Sequence, residues 1–197
     1  LSLHDALPIY SDARLIVALY DAPPRLLHVD LKWVLPDDYK KRVETPTVLW
    51  EHDGALTRLL AESEAHFPAP TLQEIEARIW TWLHYCLTKL ARGERLEAAA
   101  YLQETALYSL APLMQQLHQR TPQRFRRAES LPPADYERLC AALPPLDEQA
   151  IFQAIRATLD NYCYLRSRLA SADFQANTAA ESALRRYIAT LEQNFQN

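Results

Sequence analysis

The sequence predicts an α+β fold in which a partial, mixed β-sheet is followed by an antiparallel helical bundle. Three observations lead there. Short β-branched and aromatic runs with period-two alternation are confined to the part of the chain before Gly54. From Thr71 onward, capping signals and apolar residues spaced three and four apart take over. Between them, residues 62–70 carry Pro68 and Pro70 without a clear period, which places a domain junction in that stretch.

The opening run, residues 1–9, lacks an initiator Met and resembles a translated short-read sequencing adapter. It is read as an assembly scar outside the fold, with a genuine chain that began further upstream; His4 and Asp5 receive no functional weight. Residues 10–62 then form the sheet-bearing part. Residues 13–20 are short, β-branched and closed by Asp21-Ala22-Pro23-Pro24, the pattern of a strand running into a turn. A second strand follows over 26–34. Its alternation puts Leu27, Val29, Leu31 and Trp33 on a core face and His28, Asp30 and Lys32 on the other. A short helix over 37–44 and a short strand over Thr47-Val48-Leu49-Trp50 complete this part before the turn at Asp53-Gly54.

Residues 71–197 read as the bundle. Thr71-Leu-Gln-Glu74 is a capping box that opens a long helix, and Gly93 supplies its left-handed stop. A second helix spans about 94–119 and is bent by Pro112, which cannot donate its amide hydrogen bond. Three more helices follow, over about 135–143, 147–169 and 178–194, the last opened by a second box, Thr178 to Glu181. Trp80, Trp82 and Tyr85 are expected to pack in the core, since aromatic rings carry large buried area.

Composition removes several function classes. Two glycines against thirteen prolines leave no Gly-rich loop to cradle a phosphate. A net charge of -4 with basic residues spread along the chain argues against a nucleic-acid-coating surface. No apolar run approaches the ~20 residues that a membrane-spanning helix needs. Cys86, Cys140 and Cys163 show no metal-ligand spacing; they read as buried, inert thiols of a reducing compartment, and the cytoplasm is the expected location.

Chemistry concentrates on two places. The first is Asp30, a carboxylate in mid-strand among apolar residues, where burying an unpaired charge costs several kcal/mol unless it meets a metal ion or a partner. A salt bridge to His28 or Lys32, or exposure on an uncovered sheet, explains it equally well from the strand alone. The second is a stripe on the second long helix. Glu97, Tyr101, Glu104 and Tyr108 recur at helical spacing and alternate carboxylates with rings, as a wall for an amino sugar does; a solvated helix face has the same pattern.

The run Leu26 to Val34, together with Arg42 to Gly54, resembles the segment that closes the catalytic sheet in bacterial nucleotidyltransferases of the kanamycin and lincosamide type. Arg78 to Tyr85, Lys89 and Arg92-Gly93-Glu94 resemble the start of that family's helical domain. The resemblance spans residues of about 13–170 and implies a reaction: a nucleoside monophosphate passes from a nucleoside triphosphate to a hydroxyl of a small, cationic, aminoglycoside-like acceptor, with magnesium neutralising charge. It also implies roles. Asp30 matches the family's third catalytic, metal-binding carboxylate, while Lys89, Glu97, Tyr101 and Glu104 are expected on the acceptor side. The Gly-Ser pair and the Asp-x-Asp strand that hold magnesium and nucleotide in the family are absent from this sequence, where Ser11-Asp12 runs into Ala13-Arg14. Catalysis is accordingly expected of the complete parent enzyme, and this chain is expected to bind neither magnesium nor the triphosphate by itself.

Two other classes are carried alongside. Arg78 and His84 have the Arg-x5-His spacing of helical toxin-type ribonucleases, although six residues of helix turn through about 600° and separate their faces. A non-catalytic binding module that forms a homodimer through its helices is the third.

Overall fold

The protein is α+β. The computed structural model describes residues 6–11 and 14–195, and the surroundings of side chains for 14–193. It divides between His66 and Phe67 into two compact units.

The amino-terminal unit is built on an antiparallel sheet in the order β1-β2-β3, with β1 over Ala6–Ser11, β2 over Leu15–Ala22 and β3 over Arg25–Lys32. The expected mixed sheet is therefore corrected to a purely antiparallel one. Strands joined by turns this short can pair only antiparallel, because a parallel pair needs a crossover of roughly a dozen residues or more. The register runs from Leu15 opposite Lys32 to Ala22 opposite Arg25, so the ladder extends right up to the Pro23-Pro24 turn. A second correction concerns residues 6–9, which were expected outside the fold but belong to a strand paired with β2; residues 1–5, His4 and Asp5 among them, lie outside the described residues.

Opposed residues share a face in an antiparallel pair. Ile16, Ala18 and Tyr20 on β2 therefore accompany Leu31, Val29 and Leu27 on β3. Ala18 and Tyr20 are buried, and Val29 and Leu31 are half-buried. The expected core face is only partly realised: Leu27 is 43% and Trp33 56% exposed, because both lie towards the ends of the strand, away from the covered centre.

After β3 the chain forms α1, Pro36–Tyr39, shorter than the helix expected over 37–44, and α2, Ala55–Ala61. Residues 47–50, expected as a strand, form none. Leu49 and Trp50 are 93% and 79% exposed, so the segment has no face to bury, and it has no ladder partner among the described residues. Arg42 fixes the end of this unit instead. Its guanidinium donates to the Leu60 and Ser63 carbonyls and to the Ser63 hydroxyl, and its carbonyl accepts from the His66 amide.

The carboxyl-terminal unit is helical. α3 spans Leu72–Ala91 and opens with the complete Thr71–Glu74 capping box; Gly93 follows it at φ +76°, a left-handed conformation that ends the helix without a Cβ clash. Ile75, Ile79, Leu83, Leu87 and Leu90 recur three and four apart, and all are at most 1% exposed. This stripe packs on α4 (Arg95–Thr105), α7 (Glu148–Leu169) and α8 (Thr178–Phe195). α5, Ala111–Leu117, and α6, Pro133–Ala141, complete the unit against α7.

Between α4 and α5 the expected proline bend takes a specific form. Residues Ala106–Leu110 are a π turn in which the Ala111 amide donates to the Ala106 carbonyl. Pro112 has no amide hydrogen for the carbonyl four residues before it, and widening the preceding turn absorbs that defect. The second box expected at Thr178 is also corrected. Asn177 is the cap: its side-chain oxygen accepts from the Ala180 amide, while Glu181 turns away to Arg166 and Arg185.

The interior of α7 holds a removable cost. The Thr158 hydroxyl is fully buried and finds no hydrogen-bond partner among the described residues. Thr158→Val, which keeps the shape and removes the orphan oxygen, is expected to stabilise the protein by about 1 kcal/mol. A chemical-denaturation midpoint that falls instead would show that this hydroxyl is satisfied in solution.

Candidate functional site

The expected candidates fall into separate places. Asp30, near the carboxyl end of β3, is on the exposed face opposite Val17, and its carboxylate lies 2.9 Å from His28 Nε2. Both side chains are 57% exposed. The burial argument for a metal ion at this position therefore does not hold, since the alternation of β3 turns Asp30 to water and His28 partners it. What β3 does provide is an open border, because within the described sheet it pairs only with β2.

Lys89 and Glu97, both expected on the acceptor side, are spent on each other. Lys89 Nζ lies 2.9 Å from Glu97 Oε2 and 3.8 Å from Glu94, and the Glu97 hydrogen bond holds the ammonium above the usual lysine range against some desolvation. The same ammonium stands 5.1 Å from the Tyr101 ring centre.

Tyr101 and Glu104, by contrast, come together with Tyr108. They line a pocket of about 160 Å³ with Trp82, Thr105 and Ser109. α4 supplies one wall, Trp82 of α3 another, and the π turn presents Tyr108 and Ser109 at the end. Each part has a physical reason for its place. Trp82 is half-buried against the core, and the Thr105 hydroxyl donates 2.8 Å to the Tyr101 carbonyl, which leaves its methyl group to the interior. Ser109 is 1% exposed and its hydroxyl has no partner among the described residues. Glu104 is exposed and makes no ion pair among the described residues. The rings already attract cations: Lys89 stands over Tyr101, and the Arg124 guanidinium lies 4.8 Å from the centre of Tyr108. The arrangement suits a small polar cation, with rings against its body and a carboxylate for its charge.

Other expectations sort plainly. Trp80 is buried as expected, whereas Tyr85 is 49% exposed, because the core stripe of α3 runs through Leu83, Cys86 and Leu87 and leaves residue 85 on the outer side. Arg78 and His84 are both exposed, and His84 meets the Tyr187 ring at 5.4 Å. Cys86 is buried and burial pushes its thiol up to about 12, which makes it inert. Cys163 is half-buried and also pushed up by burial, then by Glu181, yet a basic partner is present, with Arg185 Nη2 3.3 Å away. Cys140 is exposed, against the expectation that all three thiols are buried.

Glu76 escaped the reading of the sequence. It is fully buried on α3, where its carboxylate accepts from Trp80 Nε1 at 3.2 Å, from the Asn177 amide at 2.7 Å and from the Tyr162 hydroxyl. Arg166 of α7 reaches it at 3.5 Å with one amino group and Glu181 of α8 at 2.7 Å with the other. Trp80 and Tyr162 meet edge to face at 5.6 Å, and the Arg166 guanidinium covers both rings. Burial, followed by the Glu76 hydrogen bond, pushes the Tyr162 phenol well up, so it stays a donor. A signal existed in the sequence: Glu76 stands four residues before Trp80 and seven before Leu83, in phase with the core stripe. The network ties three helices together.

Burial opposes ionisation of Glu181, but the hydrogen bonds from Arg166 and Arg185 outweigh it and hold the carboxyl below its ordinary value of 4.5. A carboxyl depressed in the folded state contributes stability above its unfolded pKa and loses it as pH falls through the folded value. Unfolding free energy is therefore expected to decline below about pH 4.5, and less steeply in Glu181→Gln. Denaturant titrations of both proteins across that range check it, and parallel curves would exclude Glu181 as a source.

No family model matches the chain, and none of the curated proteins matches it. Among the described residues, no group of three or more His, Cys, Asp or Glu side chains is placed to hold a metal ion, and no helix is long and apolar enough to cross a membrane.

Proposed function

We propose that this chain is the acceptor-binding part of a nucleotidyltransferase of the antibiotic-adenylylating type, and that the pocket at Trp82, Tyr101, Glu104 and Tyr108 takes one ring of a small cationic acceptor such as an aminoglycoside. The observation that carries the reading is the meeting, in one pocket, of three aromatic rings with an exposed carboxylate. An ammonium group on a sugar ring finds both of its complements there. The resemblance of residues 26–34 and 42–54 to the family's sheet-closing segment supports the reaction class. Asp30, on the open-bordered strand β3, is the residue that this reading assigns to the parent enzyme's metal site.

The residues present do not fit magnesium by themselves. Asp30 has His28 as its neighbour, and a divalent hard cation needs several oxygen ligands. The reading therefore gives this chain recognition: Glu104 pairs with the acceptor's ammonium group, and Tyr101 and Tyr108 flank its body. The transfer itself belongs to a complete enzyme.

Titration of the full chain with kanamycin, followed by indole fluorescence and calorimetry, tests this. Binding is expected to weaken about tenfold in Glu104→Gln, as loss of one charge-assisted hydrogen bond predicts, and further in Tyr101→Ala. An uncharged disaccharide of similar size is expected not to compete. Binding that ignores both substitutions, or no binding at millimolar kanamycin, would overturn the assignment.

A further inference from the structure

Four arginines, at positions 120, 124, 126 and 127, occur within eight residues, with Glu129 as the nearest acid, in a chain whose net charge is -4. They belong to the connection between α5 and α6. Holding like charges this close is unfavourable unless something offsets the repulsion. Flexible side chains could disperse them, but this connection is held fast. Gln115, 4% exposed at the end of α5, donates to the Arg126 carbonyl at 3.1 Å and accepts from the Gln123 amide. The Arg120 guanidinium donates to the hydroxyl and the carbonyl of Ser130 at 2.7 and 2.6 Å, and that hydroxyl in turn donates to the Arg127 carbonyl. Phe125 anchors the middle of the segment against the core.

The backbone is also strained here. Gln119, Arg124 and Arg127 adopt left-handed φ angles of 54°, 58° and 59°, which side chains other than glycine adopt at a cost. Strain kept in one segment by surrounding hydrogen bonds is a mark of functional sites, and two of these residues, Gln119 and Arg127, line a pocket of about 450 Å³. Arg120, Arg126 and Arg127 line that pocket with Gln119, Thr121 and Ser130, and no carboxylate lines it. Arg120 and Arg127 form no ion pair among the described residues. The 3-10 turn Ala128–Ser130 holds Ser130 and Arg127 at one rim, and the end of α5 holds Gln119 and Arg120 at the other.

We infer that this pocket binds the phosphoryl group of a small phosphate monoester. The Arg127 fork matches two oxygens of a tetrahedral dianion, Arg120, held in place by Ser130, adds positive charge, and Gln119 and Thr121 supply amide and hydroxyl donors. The volume suits a phosphoryl group with a small body attached. The net negative charge of the chain works against a long nucleic-acid backbone, whose affinity grows with the number of phosphates neutralised. The site is distinct from the aromatic pocket and does not depend on the acceptor reading.

The test is calorimetric titration of the full chain with glucose 6-phosphate and with inorganic phosphate, at fixed ionic strength. Saturable one-to-one binding of the sugar phosphate is expected, with inorganic phosphate competing and acetate not. Arg127→Gln is expected to weaken binding at least tenfold, and Arg168→Gln, on an exposed face of α7, to leave it unchanged. Arg127 is exposed, so its variant keeps the fold, and an unaltered circular-dichroism spectrum verifies that; Arg120→Lys, which retains charge but loses the fork, gives a second reading with an intermediate loss. Absence of binding at 10 mM, on the order expected for non-specific anion contacts, would overturn the inference. So would equal losses in Arg127→Gln and Arg168→Gln. Tighter binding of a single-stranded RNA oligomer than of the sugar phosphate would overturn its assignment to small molecules.

Discussion

Replacing Glu76 by Ala is expected to lower the stability of the helical unit by about 3–5 kcal/mol, which corresponds to a fall of about 10–15 °C in its unfolding temperature. The fully buried carboxylate accepts hydrogen bonds from the buried Trp80 and Tyr162 side chains and from the Asn177 amide, and it faces the half-buried Arg166. Alanine removes the acceptor and leaves these donors in place. Each buried donor without a partner loses its hydration for nothing in return, and one of them carries a formal charge. A volume effect alone would be smaller, so Glu76→Gln discriminates between the two. Glutamine fills the same space and keeps one acceptor oxygen but presents donors to donors, and it is expected to recover only a minority of the loss. Guanidinium unfolding of the full chain followed by helical circular dichroism measures both variants. A Glu76→Ala protein within 1 kcal/mol of the parent would show that the network contributes little.

Arg166→Met is expected to cost a similar amount at neutral pH, about 3–5 kcal/mol, for the complementary reason. Its guanidinium serves two carboxylates from two helices, Glu76 of α3 and Glu181 of α8, and is only 18% exposed. Without it Glu76 loses its cation and Glu181 is left with Arg185 alone. The deficit is expected to shrink as pH falls, because Glu181, no longer held ionised by Arg166, takes up a proton in the folded state at a higher pH than before. The pair also gives a cycle. Since Glu76 and Arg166 share one network, the double variant Glu76→Ala with Arg166→Met is expected to lose less than the sum of the singles, by about 0.5–3 kcal/mol. Additive losses would mean that Arg166 acts through Glu181 alone.

The legibility of the molecule follows the range of the interactions involved. Thr71, Glu74 and Gly93 could be read because a cap is made by residues within a few positions of one another. The helices of the carboxyl-terminal unit were readable from apolar spacing, as was the aromatic and acidic stripe of α4 that became part of a pocket. The expected strand over 47–50 failed because a strand needs a partner elsewhere in the chain, and propensity says nothing about whether one is there. That Lys89 and Glu97 pair with each other was not legible, because the contact crosses the turn between α3 and α4, which spacing on a single helix cannot reveal.

By itself, then, the sequence determined the α+β division and most helix starts and stops. Only the tertiary structure decided that Asp30 faces water beside His28, that Glu76 is buried under Arg166, and that four dispersed-looking arginines share one rigid loop. The physical reason is the same in each case. Local hydrogen bonds and helical periodicity are written in neighbouring residues, whereas burial and electrostatic partnership depend on which distant segment arrives alongside, and a charge acquires its meaning only from that neighbour.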